Sequence, residues 1–190
     1  TLGLVQMRHL DPAAALASFE AAERETLTLD SPIGRGWGPA RKAWPMIVLG
    51  DLRGAARAAR QAGDTARTAH DWVHGALSAA FLHSIEVLNG DAEAANLAGR
   101  EAVRLIDRST YLQASFILDA AVAWDRLLRA EFEEAIDAAA QWSQRAGAVA
   151  SAPLRLLIAA RTRGADAVAE ELLRQPWRFP VRDEPDFVSL

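Results

Sequence analysis

The sequence predicts an all-α fold, an array of about five antiparallel helical hairpins over residues 1–175, on three observations. A turn signature interrupts the helical pattern at regular intervals, each interruption is followed by an Ala-rich amphipathic run, and no segment alternates as a strand would. The turns read Leu10-Asp11-Pro12, Gly50-Asp51-Leu52, Gly90-Asp91-Ala92, Ala130-Glu131-Phe132 and Gly164-Ala165-Asp166. Ala15, Ala55, Ala95 and Ala135 follow them in steps of 40 residues, and Ala169 comes 34 later, a spacing that suits helical-hairpin repeats.

In chain order, helices are expected near 1–10, 13–28, 39–49, 52–67, 70–89, 92–107, 111–129, 132–147, 152–163 and 166–174. They pair into hairpins near 1–28, 39–67, 70–107, 111–147 and 152–174. Asp11, Asp51 and Asp91 are N-caps, Gly50 and Gly90 close the preceding helices, and Pro12 fits a first helical position. Glu131 is a poorer cap, although Glu133 and Glu134 place negative charge where the helix dipole favours it. Pro45 predicts a kink in the third helix or a late start to it. Leu77, Phe81, Ile85 and Leu88 form one apolar stripe, and Ile117, Ala120, Ala121, Trp124, Leu127 and Leu128 form another. The segment 176–190, with Pro176, Pro180 and Pro185 spacing Trp177, Phe179 and Phe187, reads as an extended Pro-rich tail, either a cap on the last hairpin or a docking motif.

Composition narrows the function. A chain of 190 residues without Cys excludes disulfide frameworks, thiolate metal sites and Cys nucleophiles. Net charge −4 disfavours a nucleic-acid or anionic-membrane surface, and no apolar run reaches the roughly 20 residues of a membrane span. A cytoplasmic location is expected, and the start at Thr1 reads as a piece cut from a longer chain.

Gly-Asp followed by Ala four residues after the Asp, with a small residue seven before the Gly (Gly3, Ala43, Ala123), resembles the tetratricopeptide repeat. Ala15-x3-Phe19-x2-Ala22, Ala55-x3-Ala59-x2-Ala62 and Ala95-x3-Gly99-x2-Ala102 resemble its second helix. The 40-residue period is similar to the sensor arrays of large bacterial LuxR-type, ATP-binding transcriptional regulators. No phosphate-binding G-x-x-x-x-G-K-[ST] loop and no recognisable DNA-reading helix occurs, so the chain would be a middle segment of such a regulator. The resemblance implies a right-handed superhelix whose concave face, made by the first helix of each hairpin, binds a protein or peptide partner or a small apolar ligand, and contacts flanking domains of the same chain.

Several side chains are candidates for that work. Trp44 and Trp124 stand at equivalent repeat positions with Ser84 between them; they are either core wedges or, with Leu88, Leu128 and Trp37, the lining of a groove. His83 occupies a position held elsewhere by Gly or Ala, with Gly99 making room and Asn96 as its expected partner; it is compensated packing or a switch. His70 and His74 have i, i+4 metal-ligand spacing, but His83 lies about 220° round the helix, so the set is incomplete. Gly34-Arg35-Gly36-Trp37-Gly38 reads as an inter-hairpin linker, because a dinucleotide loop needs a preceding strand. Arg53, Arg57, Arg60 and Arg67 form a stripe that is either solvated or offered to an acidic partner. No nucleophile, base and orienting group assemble. The expected function is therefore non-catalytic, without metal or cofactor: a protein-interaction or ligand-sensing module of a larger bacterial regulator, with a free-standing adaptor as the alternative and an enzyme last.

Overall fold

The computed structural model describes residues 2–8, 11–28, 32–146, 148–164, 166–167 and 170. Those residues are all-helical and contain no strand. Among the described residues nine helices are laid out as α1 (Leu2–Arg8), α2 (Pro12–Leu27), α3 (Pro32–Val48), α4 (Leu52–Ala69), α5 (Trp72–Asn89), α6 (Ala92–Ser109), α7 (Leu112–Leu128), α8 (Phe132–Ala146) and α9 (Ala148–Arg163). The helix expected over 166–174 and the tail at 176–190 lie outside the described residues, apart from Asp166, Ala167 and Glu170.

From α2 to α8 each helix begins 20 residues after the last, so the 40-residue period divides into two equal halves. The turns explain the pitch. Residues 50, 70, 90 and 130 are left-handed, and the following N–H bonds back five residues: Asp51 to Met46, Asp71 to Ala66, Asp91 to Glu86 and Glu131 to Arg126. The next helix is capped at once. Asp11, Asp51, Asp71 and Asp91 accept from the N–H groups of Ala14, Gly54, His74 and Ala94 at 2.8–3.1 Å. Glu131 instead ties its carboxylate to Arg126.

Gly50 and Gly90 adopt positive φ without a Cβ penalty, whereas His70, Thr110 and Ala130 do so at φ 55, 52 and 60°. A left-handed non-Gly residue costs about 1–2 kcal/mol. Ala130 is exposed and carries no side chain beyond Cβ, so Ala130→Gly should stabilise the chain by about 1 kcal/mol and raise Tm by about 2–4 °C. Thermal unfolding followed at 222 nm checks it; an unchanged or lower Tm would refute this reading of the turn.

Short turns fold each helix back on its predecessor: α1 packs on α2, α3 on α4, α5 on α6, α7 on α8 and α8 on α9, with α2–α3 and α4–α5 joining successive pairs. Odd-numbered helices also touch one another, α3 to α5, α5 to α7 and α7 to α9. Alanine makes these approaches possible. Ala15, Ala55, Ala95 and Ala135 are all at most 2% exposed, as are Ala43 and Ala123 across the hairpins, and no side-chain bulk holds the axes apart. The apolar core runs in overlapping clusters along the chain, Trp44 packing against the first and second and Tyr111 and Ile117 against the second and third.

One expectation is corrected. The stretch Gly34–Gly38 is not a linker but part of α3, which starts at Pro32, seven residues earlier than the periodicity indicated, and runs through Pro39 and Pro45. Packing overrides local propensity here. Gly38 is pressed against α2, where a Cβ would meet the Glu23 Cβ at 2.6 Å, and Pro39 and Pro45 are buried with it.

Candidate functional site

Trp37, Arg41, Trp44 and Val48 recur at helical spacing, so α3 presents them within a stripe of about 60°. Forty residues on, α5 carries Leu77, Phe81, Ser84 and Leu88 in the same phase; forty further, α7 carries Ile117, Ala121, Trp124 and Leu128. Because α5 touches both α3 and α7, these three stripes belong to neighbouring helices. Exposure follows the repeat. Val48, Leu88 and Leu128 at the hairpin tips are 57, 47 and 59% exposed, while Trp44, Ser84 and Trp124, one turn earlier, are half-buried. Trp44 packs on the clusters built from α1–α5 and Trp124 on the one built from α7–α9, so both indoles are partly anchored in the core. The Ser84 hydroxyl donates to its own helix at the Ala80 carbonyl, 3.0 Å away, leaving little polarity between the two tryptophans.

The other end of the face is polar, and no sequence argument above identified it. Arg41 Nη1 donates to Gln113 Oε1 at 2.7 Å and Nη2 to the Tyr111 hydroxyl at 2.8 Å, reaching from α3 to the start of α7. Tyr111 donates in turn to Gln113 Oε1 at 2.6 Å. The guanidinium lies 5.9 Å from the Trp37 ring, which is itself set edge-on against Phe19 at 6.2 Å. Arg41 shares its face with Trp37 and Trp44, and that spacing was the one available signal. Its partners lie some 70 residues away and are invisible to periodicity.

His83 is buried, with Nδ1 2.8 Å from the Ala95 carbonyl and Nε2 without a partner. Asn96, expected to pair with it, is instead exposed, because the α6 backbone brings the preceding carbonyl to the ring. Gly99 faces the imidazole, where an added Cβ would lie 3.1 Å from Nδ1. His83→Ala is therefore expected to be rescued by Gly99→Ala: the double variant should be more stable than His83→Ala alone by about 1 kcal/mol, from helix propensity and partial refilling of the space. Urea unfolding of the three variants measures it, and no rescue would contradict the stated packing.

The other candidates separate. His70 is the left-handed cap of α4 and exposed, whereas His74 lies on α5 and bonds through Nδ1 to Asp71 at 2.5 Å, so the two are not successive turns of one helix. No group of three potential metal ligands occurs among the described residues. Arg60 pairs with Glu86 and Arg67 with Asp64, while Arg53 and Arg57 are exposed. On α6, hydrogen bonds from Arg104 hold the Glu101 carboxyl below its usual range against a smaller opposing effect of burial, and Arg67 adds a weaker pull. The exposed Arg67–Asp64 and Arg104–Glu101 pairs add little to stability, whereas Glu86, the partner of Arg60, is buried. No described helix is long and apolar enough to cross a membrane.

Comparison of the chain with models of protein families, with curated proteins and with solved structures returns no match.

Proposed function

We propose that this chain is a non-catalytic binding module, a helical-repeat array similar to tetratricopeptide repeats and curved into a right-handed superhelix. The face made by α3, α5 and α7 receives a small apolar ligand or a partner segment. One observation carries the reading: Trp44, Ser84 and Trp124, half-buried, and Val48, Leu88 and Leu128, about half-exposed, recur at the same two repeat positions on three neighbouring helices. A core position would be buried in every repeat and a solvated one polar; these are neither. In this reading the array is the cytoplasmic sensor segment of a larger bacterial regulator, and occupancy of the face alters contacts with flanking domains.

A thermal-shift screen with apolar metabolites and short peptides tests the proposal, since selective binding to the folded state raises Tm. Trp44→Ala combined with Trp124→Ala is expected to abolish the shift while keeping the helical circular-dichroism signal. A shift retained in that variant overturns the assignment of the face. Recovery of protein partners alone, with no compound raising Tm, replaces the sensor with an adaptor.

A further inference from the structure

We propose that Arg41 is an oxyanion-binding residue, and that the ligand of the α3–α5–α7 face is a small apolar acid, its carboxylate or phosphate on Arg41 and its apolar body toward Trp44. This deepens the reading of that face given above and rests on it. A guanidinium carries five N–H donors and a permanent charge, and removing it from water is costly unless the charge is paired. Arg41 is half-buried, yet no carboxylate of a described residue pairs with it. Its neighbour Lys42 shows the contrast, being ion-paired with Glu23 while similarly buried.

Two of the five Arg41 donors are used, both on neutral oxygens, and the Nε–H is buried with no acceptor at all. The arrangement fixes the fork without neutralising it. Gln113 and Tyr111 hold the guanidinium from α7, and Trp37 lies beside it on α3. A planar oxyanion is the chemistry that satisfies a guanidinium through parallel N–H···O bonds, and a positioned fork loses less entropy on binding one. Continuity with the apolar row specifies the rest of the ligand. Trp44 follows Arg41 by one turn on the same stripe, so an acid seated on Arg41 extends its body along Trp44 toward Ser84 and Trp124.

The test is a nuclear magnetic resonance titration of the full 190-residue chain, reading the Arg41 Nε–Hε signal and the indole N–H signals of Trp37, Trp44 and Trp124. The probes are 4-phenylbutyrate, 4-phenylbutyl phosphate and the neutral 4-phenylbutanol. One or both acids are expected to shift the Arg41 and Trp44 signals saturably, at least tenfold more tightly than the alcohol, and the tighter acid distinguishes a carboxylate ligand from a phosphate. Arg41→Gln should reduce the acid's affinity to that of the alcohol, and Arg41→Lys should leave it intermediate. Equal affinity of acid and alcohol at Trp44 in the wild-type chain overturns the oxyanion assignment while leaving the apolar face standing. An Arg41 signal unmoved by either acid overturns it too, and the face itself fails only if the Trp44→Ala, Trp124→Ala variant keeps its ligand. The wild-type comparison needs no variant to fold.

Discussion

Leu77→Ala is expected to destabilise the chain by about 2–5 kcal/mol. Leu77 is fully buried on α5, the helix that touches α3, α4, α6 and α7, and its neighbours in the cluster are mostly alanines already at 0% exposure. Small residues bring the helices close, but they leave few large side chains to bury: among the described residues Phe19, Leu77 and Ile85 are the largest apolar groups that are fully enclosed. Packing fixed by alanine backbones cannot collapse into the space left by three missing carbons, so the cavity persists and its cost stays near the upper part of the range. In a chain of this size such a loss lowers Tm by roughly 5–15 °C. A shift below 2 °C would show that α5 is not the keystone of the core.

Gly38→Leu is expected to cost about 3 kcal/mol or more and to separate α2 from α3. A Cβ at Gly38 would lie 2.6 Å from the Glu23 Cβ and 3.0 Å from its Cα, and a backbone atom cannot step aside as a side-chain tip can. Overpacking typically costs 1–3 kcal/mol, more when backbone must move, and the gain in helix propensity of about 1 kcal/mol does not offset it. Displacing Glu23 also disturbs its ion pair with Lys42. Gly75→Ala is the control. There a Cβ would meet nothing nearer than Leu105 Cδ1 at 3.4 Å, with Ala66 Cβ at 3.8 Å, so the same propensity gain should leave that variant unchanged or up to about 1 kcal/mol more stable. Urea unfolding of the two variants should move in opposite directions; a stable Gly38→Leu chain would contradict the close α2–α3 approach.

Gly38 also marks where sequence reading reached its limit. Gly-Asp at 50–51 and 90–91 has a local mechanism, a left-handed closure followed by a cap, and those turns were legible from the residues alone. The equally regular closures at His70 and Ala130 were harder to read, because nothing in a His or Ala side chain announces positive φ. Three glycines and a proline between 34 and 39 follow the local rules for a loop, and only the proximity of α2, a tertiary fact, makes them helical. At the candidate site the contrast is similar. Trp44, Ser84 and Trp124 were visible because they keep the 40-residue period, whereas Arg41 has no counterpart at 81 or 121, where Phe and Ala stand, and its partners enter from α7. The pairing of His83 with the Ala95 carbonyl rather than Asn96 depended on which α6 atoms face the ring.

The central claim is that the inner face of α3, α5 and α7 is where this array binds. Hydrogen–deuterium exchange of the complete chain, with and without the compound that raises Tm in the screen, tests it most directly. Slowed exchange concentrated in residues 41–48 of α3, 84–89 of α5 and 112–128 of α7 is the predicted result. Protection confined to the outer helices α4, α6 and α8, with those inner segments unchanged, would contradict it.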